Sequence, residues 1–155
     1  MMSVLRKELG NFSSIICFKA AISGMEEALG DKATAIALTT AGRARGKKLA
    51  EELGFTAGSY SLDDAADQLR KALGKEGTRL CIVEKIVSED EIIKVYTSET
   101  LCSAGEALNS PRKCTFTMGA VWGAIEQIIG KRLRGTHTES VLRGGTHDVF
   151  EFTPF

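Results

Sequence analysis

A chain of 155 residues, 43% hydrophobic and 26% charged, has the size and composition of one globule and excludes a disordered chain, a collagenous repeat and a coiled-coil rod. Twenty basic residues balance twenty acidic ones, so no net field draws the chain to nucleic acid or to an anionic membrane. The longest apolar stretch, Met118 to Ile125, falls far short of the ~20 residues needed to span a bilayer.

The four cysteines Cys17, Cys81, Cys102 and Cys114 lie far apart without a C-x-x-C pair, and Glu8 stands where a signal peptide needs apolar residues. Reduced, buried thiols in a cytoplasmic protein are expected. Apolar residues then recur near a 3.6-residue period at Phe12, Ile15, Ile16, Ile22, Met25 and Leu29, which predicts a helix from Asn11 to Leu29 with Gly30 as C-cap. Asp31 to Leu53 keeps a helical stripe through Ile36, Gly42, Gly46, Leu49, Ala50 and Leu53, with Asp31 able to cap it. A short buried strand at Ala33 to Leu38 also fits, but one long helix ending at Gly54 is favoured. Ser61 with Asp64 is a variant capping box, and the apolar face from Leu62 to Leu73 predicts a third helix that stops at Gly74.

After Gly77 the β-branched runs Leu80 to Val87 and Ile92 to Tyr96, separated by the polar turn Ser88-Glu89-Asp90-Glu91, predict a hairpin. Cys114 to Ile129 is apolar nearly all round and reads as a helix in the middle of the domain. Residues 138–143 and 147–153 flank Gly144-Gly145 and predict a second hairpin on a tight turn. The expected fold is α+β: helices packed on a small antiparallel sheet of two hairpins around a central apolar helix, in a single domain spanning residues 1–155.

Two small-residue pairs, Gly42-x-x-x-Gly46 and Gly119-x-x-x-Gly123, each put two glycines on one helix face at a cost of about 1 kcal/mol per glycine relative to alanine. Close packing against a neighbour is the plainer explanation. The alternative is a groove bordered by Phe116, Met118 and Trp122, ready for an apolar ligand. His137, Glu139, His147 and Asp148 offer imidazole and carboxylate groups within a dozen residues, read first as a solvated strand face, because no zinc-ligand spacing is present. With a two-residue Gly144-Gly145 loop, Glu139 falls opposite Phe150 at the core edge; a longer loop moves it elsewhere. The basic cluster Arg43, Arg45, Lys47 and Lys48 spreads around its helix and reads as a solvated face. No P-loop, G-x-S-x-G or G-x-G-x-x-G is present, so no catalytic residue, metal ligand or cofactor is assigned.

The segments AGRARGKKLAEEL, CTFTMGAVWGAIEQIIG and TESVLRGGTHDVFEF, in this order, resemble the 4-vinyl-reductase-type, or hydrocarbon-binding, domain, which is similar in fold to the small subunits of the TRAPP vesicle-trafficking complex. The resemblance covers Ile22 to the C-terminus. It implies a homodimeric α+β domain enclosing an apolar cavity for an acyl chain or other hydrophobic small molecule, with one branch linked to vinyl reduction in bacteriochlorophyll synthesis. Many members carry two further cysteines, at positions that here hold Leu142 and Phe150, so thiol or metal chemistry tied to them is not carried over.

The leading reading is non-enzymatic binding or sensing of a hydrophobic small molecule. Its candidate site is formed by Phe12, Ile16, Phe116, Met118, Gly119, Trp122, Gly123, Glu139 and Phe150. A tetrapyrrole enzyme or carrier using His137, Glu139 or His147, and a dimeric scaffold with a filled core, are the alternatives. The partners expected are that small molecule and a second copy of the chain, with no nucleic acid and no membrane span.

Overall fold

Among the residues that the computed structural model describes, 5–58 and 60–155, four α-helices and one four-stranded antiparallel sheet form an α+β fold. The first helix, α1 (Ile15–Leu29), begins later than its periodicity suggests, because the Ser14 hydroxyl accepts the Ile16 amide at 3.1 Å and caps it there. Phe12 therefore precedes the helix. A single residue, Gly30 at φ 84°, turns the chain into α2 (Asp31–Glu52), which is helical throughout. Gly30 is its N-cap, and Asp31, expected as the cap, sits in the first turn, where its charge still favours the helix dipole.

The Ser61 hydroxyl accepts the Asp64 amide at 3.1 Å and starts α3 (Leu62–Leu73), as the capping box predicts. From α3, Arg70 donates to the carbonyls of Val83 and Glu84 at 2.8 and 2.6 Å, fixing the helix to β1 (Ile82–Glu89). β1 turns through Asp90 and Glu91 into β2 (Ile92–Ser98), with Asp90 at φ 57°. After a long connection come α4 (Thr115–Ile129), β3 (Leu133–Glu139) and β4 (Asp148–Pro154), and the sheet order is β1-β2-β4-β3.

The second hairpin departs from expectation. β3 runs from Leu133, and Gly144-Gly145 is part of an eight-residue connection, 140–147, that includes a 3-10 turn at Val141–Arg143. His137, not Glu139, lies opposite Phe150; a bulge after His137 then sets Glu139 against Val149 and leaves it exposed. Of the two placements left open for Glu139, the longer loop is the one found: the Ser140 hydroxyl caps the 3-10 turn through the Leu142 amide at 3.2 Å, closing a wider turn than two residues allow.

The cysteine reading also changes. Cys102 and Cys114 form a disulfide with Cα atoms 5.3 Å apart, Cys17 is exposed, and only Cys81 is a buried thiol, pushed up to about 12 by burial and by the nearby Asp148 charge. The connection between β2 and α4 folds back on itself, and sequence spacing alone does not show that. The cytoplasmic expectation rested on separate thiols and on Glu8 near the start of the chain, and Cys102 and Cys114 do not meet the first of these premises.

The inner face of the sheet presents Val83, Ile86, Ile93, Val95, Phe150 and Phe152, all buried, to α3 and α4. Gly135 on β3 leaves room there for the Trp122 ring, which a Cβ would meet at 2.9 Å. On its other side α4 packs along α2, backbone to backbone. A Cβ on Gly119 would stand 2.5 Å from the Thr39 carbonyl oxygen and 3.1 Å from the Gly42 Cα, and Gly42, Gly46 and Gly123 are equally hemmed in by Phe116, Ala120 and Arg43 backbone atoms. Thr39 meets Gly119 and Arg43 meets Gly123, so the two helices run in the same direction. Of the two explanations for the glycine pairs, close packing is the one realised: α2 itself fills the groove.

A leucine at Gly123 would drive side-chain atoms into the Arg43 backbone, an overpacking cost of about 1–3 kcal/mol or more. Ala124→Gly loses one buried methyl and about 1 kcal/mol of helix propensity. Gly123→Leu should therefore melt well below Ala124→Gly in a thermal scan; equal melting temperatures would contradict the close contact.

Candidate functional site

The buried stripe of α2 runs Thr34, Leu38, Gly42, Gly46, Leu49, Ala50, with Leu38 and Thr34 taking the place of the glycines toward its N-terminal end. There, between α1, α2, the start of α4 and the β2–α4 connection, lies a cavity of about 570 Å³. This is within the range of small-molecule sites. Its apolar wall includes Ile22 from α1, Leu38 from α2, Leu101 from the connection and Phe116 from α4. Phe18 holds the Phe116 ring edge-on at 5.5 Å between centroids.

The lining also holds polar residues, two of them buried. Thr34 and Thr117 are each 1% exposed, and neither hydroxyl has a hydrogen-bond partner among the described residues. Threonines elsewhere on α2 behave differently: Thr39 and Thr40 each donate to the carbonyl four residues back at 2.8 Å. A buried hydroxyl without a partner costs about 1–3 kcal/mol, and both oxygens are covered by protein atoms rather than open to the cavity.

The outer side of the cavity is a polar strap. Lys19 on α1 donates to the Cys102 carbonyl at 2.9 Å and pairs with Glu106, and Arg112 bridges Glu106 and Glu26 at 3.0 Å each. The Ser110 hydroxyl donates to Glu106 at 2.7 Å. Contact with Lys19, against a smaller opposing effect of burial, holds the Glu106 carboxyl below its usual range. The disulfide joins the two ends of this strap, and Arg143 secures its outer edge through the carbonyls of Ser110 and Arg112 at 3.0 and 3.2 Å.

Of the residues expected at the site, Phe116 lines the cavity. Phe12 and Ile16 are 58% and 77% exposed and are not among its lining residues. Gly119 and Gly123 face α2 backbone, and Phe150 is in the sheet core against the His137 ring. The Trp122 indole donates to the Leu133 carbonyl at 2.9 Å and carries the Arg43 guanidinium over its face at 4.3 Å. Met118 lines a separate depression beside His137, and Glu139 accepts the Thr146 amide at 3.2 Å on an exposed loop. The structure therefore does not bring these nine residues into one place. Thr34, Leu38, Ile22, Leu101 and Thr117 were missed, although Thr34 stands four residues before Leu38 on the same stripe.

The imidazole and carboxylate groups form a structural pair instead. His137 Nε2 lies 2.9 Å from the Asp148 carboxylate, which also accepts from Thr100 at 3.3 Å. Burial raises the Asp148 carboxyl, but hydrogen bonds from His137 and Ser140 and the His137 charge outweigh it, and the net displacement is downward. No group of three or more potential metal ligands is present among the described residues.

No family model matches the sequence, and no curated protein matches it either. The fold does have solved counterparts. The crystal structure of the phenol-responsive sensory domain of the transcription activator PoxR with phenol is similar at a TM-score of 0.72 and 13% identity, covering 93% of this chain and 76% of that one. The crystal structure of a trafficking protein particle complex subunit 3 from Naegleria fowleri, covalently bound to palmitic acid, is similar at a TM-score of 0.62 and 16% identity, covering 91% of this chain and 92% of that one. At these identities the likeness concerns the fold. The TRAPP-like architecture expected from the sequence is therefore shown as architecture.

Because the Asp148 carboxyl is lowered in the folded state, its stabilising contribution is fully present above the ordinary carboxylate value near 4 and is lost as pH falls through the lowered one. Asp148→Asn should cost about 1–3 kcal/mol at pH 7 in denaturant titrations, and its difference from the unaltered protein should shrink below about pH 4. A difference independent of pH would contradict the pairing.

Proposed function

We propose that this domain binds one small, mostly apolar organic molecule in the cavity between α1, α2, the start of α4 and the β2–α4 connection. The observation that carries the reading is the cavity itself, about 570 Å³ in volume, with Ile22, Leu38, Leu101 and Phe116 in its lining beneath a polar strap. Support comes also from the fold: one structural neighbour holds phenol and another palmitic acid, so this architecture accommodates small molecules with large apolar parts. The resemblance to hydrocarbon-binding domains points the same way.

The tetrapyrrole alternative rests on His137, Glu139 and His147. His137 is engaged by Asp148, Glu139 by the Thr146 amide, and His147 contacts the Thr146 hydroxyl at 3.0 Å, so no observation favours it over the cavity.

Titration with butylbenzene should raise the melting temperature by mass action, since a ligand at one hundred times its Kd adds about 2.7 kcal/mol to the folded state. Ala35→Trp, which fills the cavity from the α2 wall, should fold and lose that response. Native mass spectrometry should report one molecule per chain. No response from the unaltered protein, or an equal response from Ala35→Trp, would overturn the reading.

A further inference from the structure

We infer that the Cys102–Cys114 disulfide is a redox switch for this cavity: oxidised, it holds the strap closed over the bound molecule, and reduction by a dithiol frees the strap and weakens that hold. The inference rests on the binding role proposed above. The strap supplies one side of the lining through Cys102, Glu106, Pro111 and Arg112. Among the described residues, none between Ser103 and Lys113 is buried, whereas Cys102 and Cys114 at the two ends are 9% and 3% exposed and belong to the core cluster. The strap is therefore rooted in the core through its cysteines.

Its other fastenings are weaker. Among the described residues one backbone hydrogen bond joins the strap to a distant part of the chain, from the Asn109 amide to the Leu142 carbonyl at 2.7 Å, and the rest close local turns. The ion pairs of Lys19 and Arg112, and the hold of Arg143 on the Ser110 and Arg112 carbonyls, are made by side chains partly open to water. A cross-link over 12 residues removes most of the conformations open to a segment held in this way. Cutting it returns them, and each molecule that binds must then order the lining again. The helices and the sheet meet through the glycine contacts and the strand ladder, so the fold outlasts the cut. The chemistry is thiol–disulfide exchange: one thiolate of the dithiol attacks a sulfur of the bridge and expels the other as a thiolate, which takes up a proton, and the second thiol resolves the mixed disulfide. The bridge gains two electrons and two protons, and the dithiol becomes a disulfide. Linkage makes the effect reciprocal, since a molecule that prefers the oxidised form by some factor protects the bridge from reduction by the same factor.

Butylbenzene titrated calorimetrically into the full chain, once oxidised and once under dithiothreitol, tests this, with free thiols counted after unfolding in each state. The oxidised chain should show the two thiols of Cys17 and Cys81, and the reduced chain all four. Affinity should fall about tenfold on reduction while the helical circular dichroism persists, and saturating butylbenzene should lower the midpoint potential of the bridge by about 30 mV, the same tenfold. Cys102→Ala with Cys114→Ala should bind like the reduced chain and ignore the dithiol. Should that variant not fold, the unaltered chain decides by itself. Equal or tighter binding in the reduced state, four thiols remaining after oxidation, or loss of the helical signal on reduction overturns the switch and leaves the cavity as a binding site. Absence of butylbenzene binding in both states overturns both.

Discussion

The contact between α2 and α4 is the constraint from which the rest of the structure follows. Four glycines, Gly42, Gly46, Gly119 and Gly123, let two helix backbones touch, and a Cβ at any of them would collide with main-chain atoms of the opposite helix. Each glycine costs about 1 kcal/mol of helix propensity, and the close approach offsets that with continuous backbone contact along both helices. The pairing also sets what lies at either side. α4 is held with Trp122 against Gly135 and Phe152 of the sheet, and α2 covers its outer face.

The cavity is the counterpart of that contact. Where α2 reaches Leu38 and Thr34, the glycines have ended, and the cavity lies between this part of α2, α1, the start of α4 and the strap from Cys102 to Cys114. The strap is fastened by partly buried ion pairs on one side and a disulfide at its base. Apolar residues and charged ones thus meet in the lining, the charged ones largely paired among themselves.

The helices were legible because their signals are local. Ser61 with Asp64, the α3 stripe and the all-apolar Cys114 to Ile129 each specify an element within one or two turns. The polar turn between β1 and β2 is equally local. What failed was long-range. A bulge after His137 moved Glu139 off the core face, and no residue in the β3–β4 connection announces a bulge. Cys102 and Cys114 meet because the intervening segment doubles back, which their spacing does not reveal. The glycine pairs were correctly seen as a place where side chains are missing, but the sequence does not say whether a ligand or a helix fills the space. The unpartnered hydroxyls were hidden for a different reason: a threonine within a helix usually bonds to its own backbone, as Thr39 and Thr40 do, and only the folded chain shows that Thr34 and Thr117 do not.

The central claim, that this cavity and not the Trp122 face or the His137 pair receives the small molecule, is tested most directly by methyl-resolved NMR during titration with 4-butylphenol. The account predicts saturable shifts at Ile22, Leu38, Leu101 and the Thr34 and Thr117 methyls, with Val121 and Val149 essentially unmoved. Shifts centred on the sheet side around Met118 and Val149, with the Leu38 and Leu101 methyls unmoved, would contradict it.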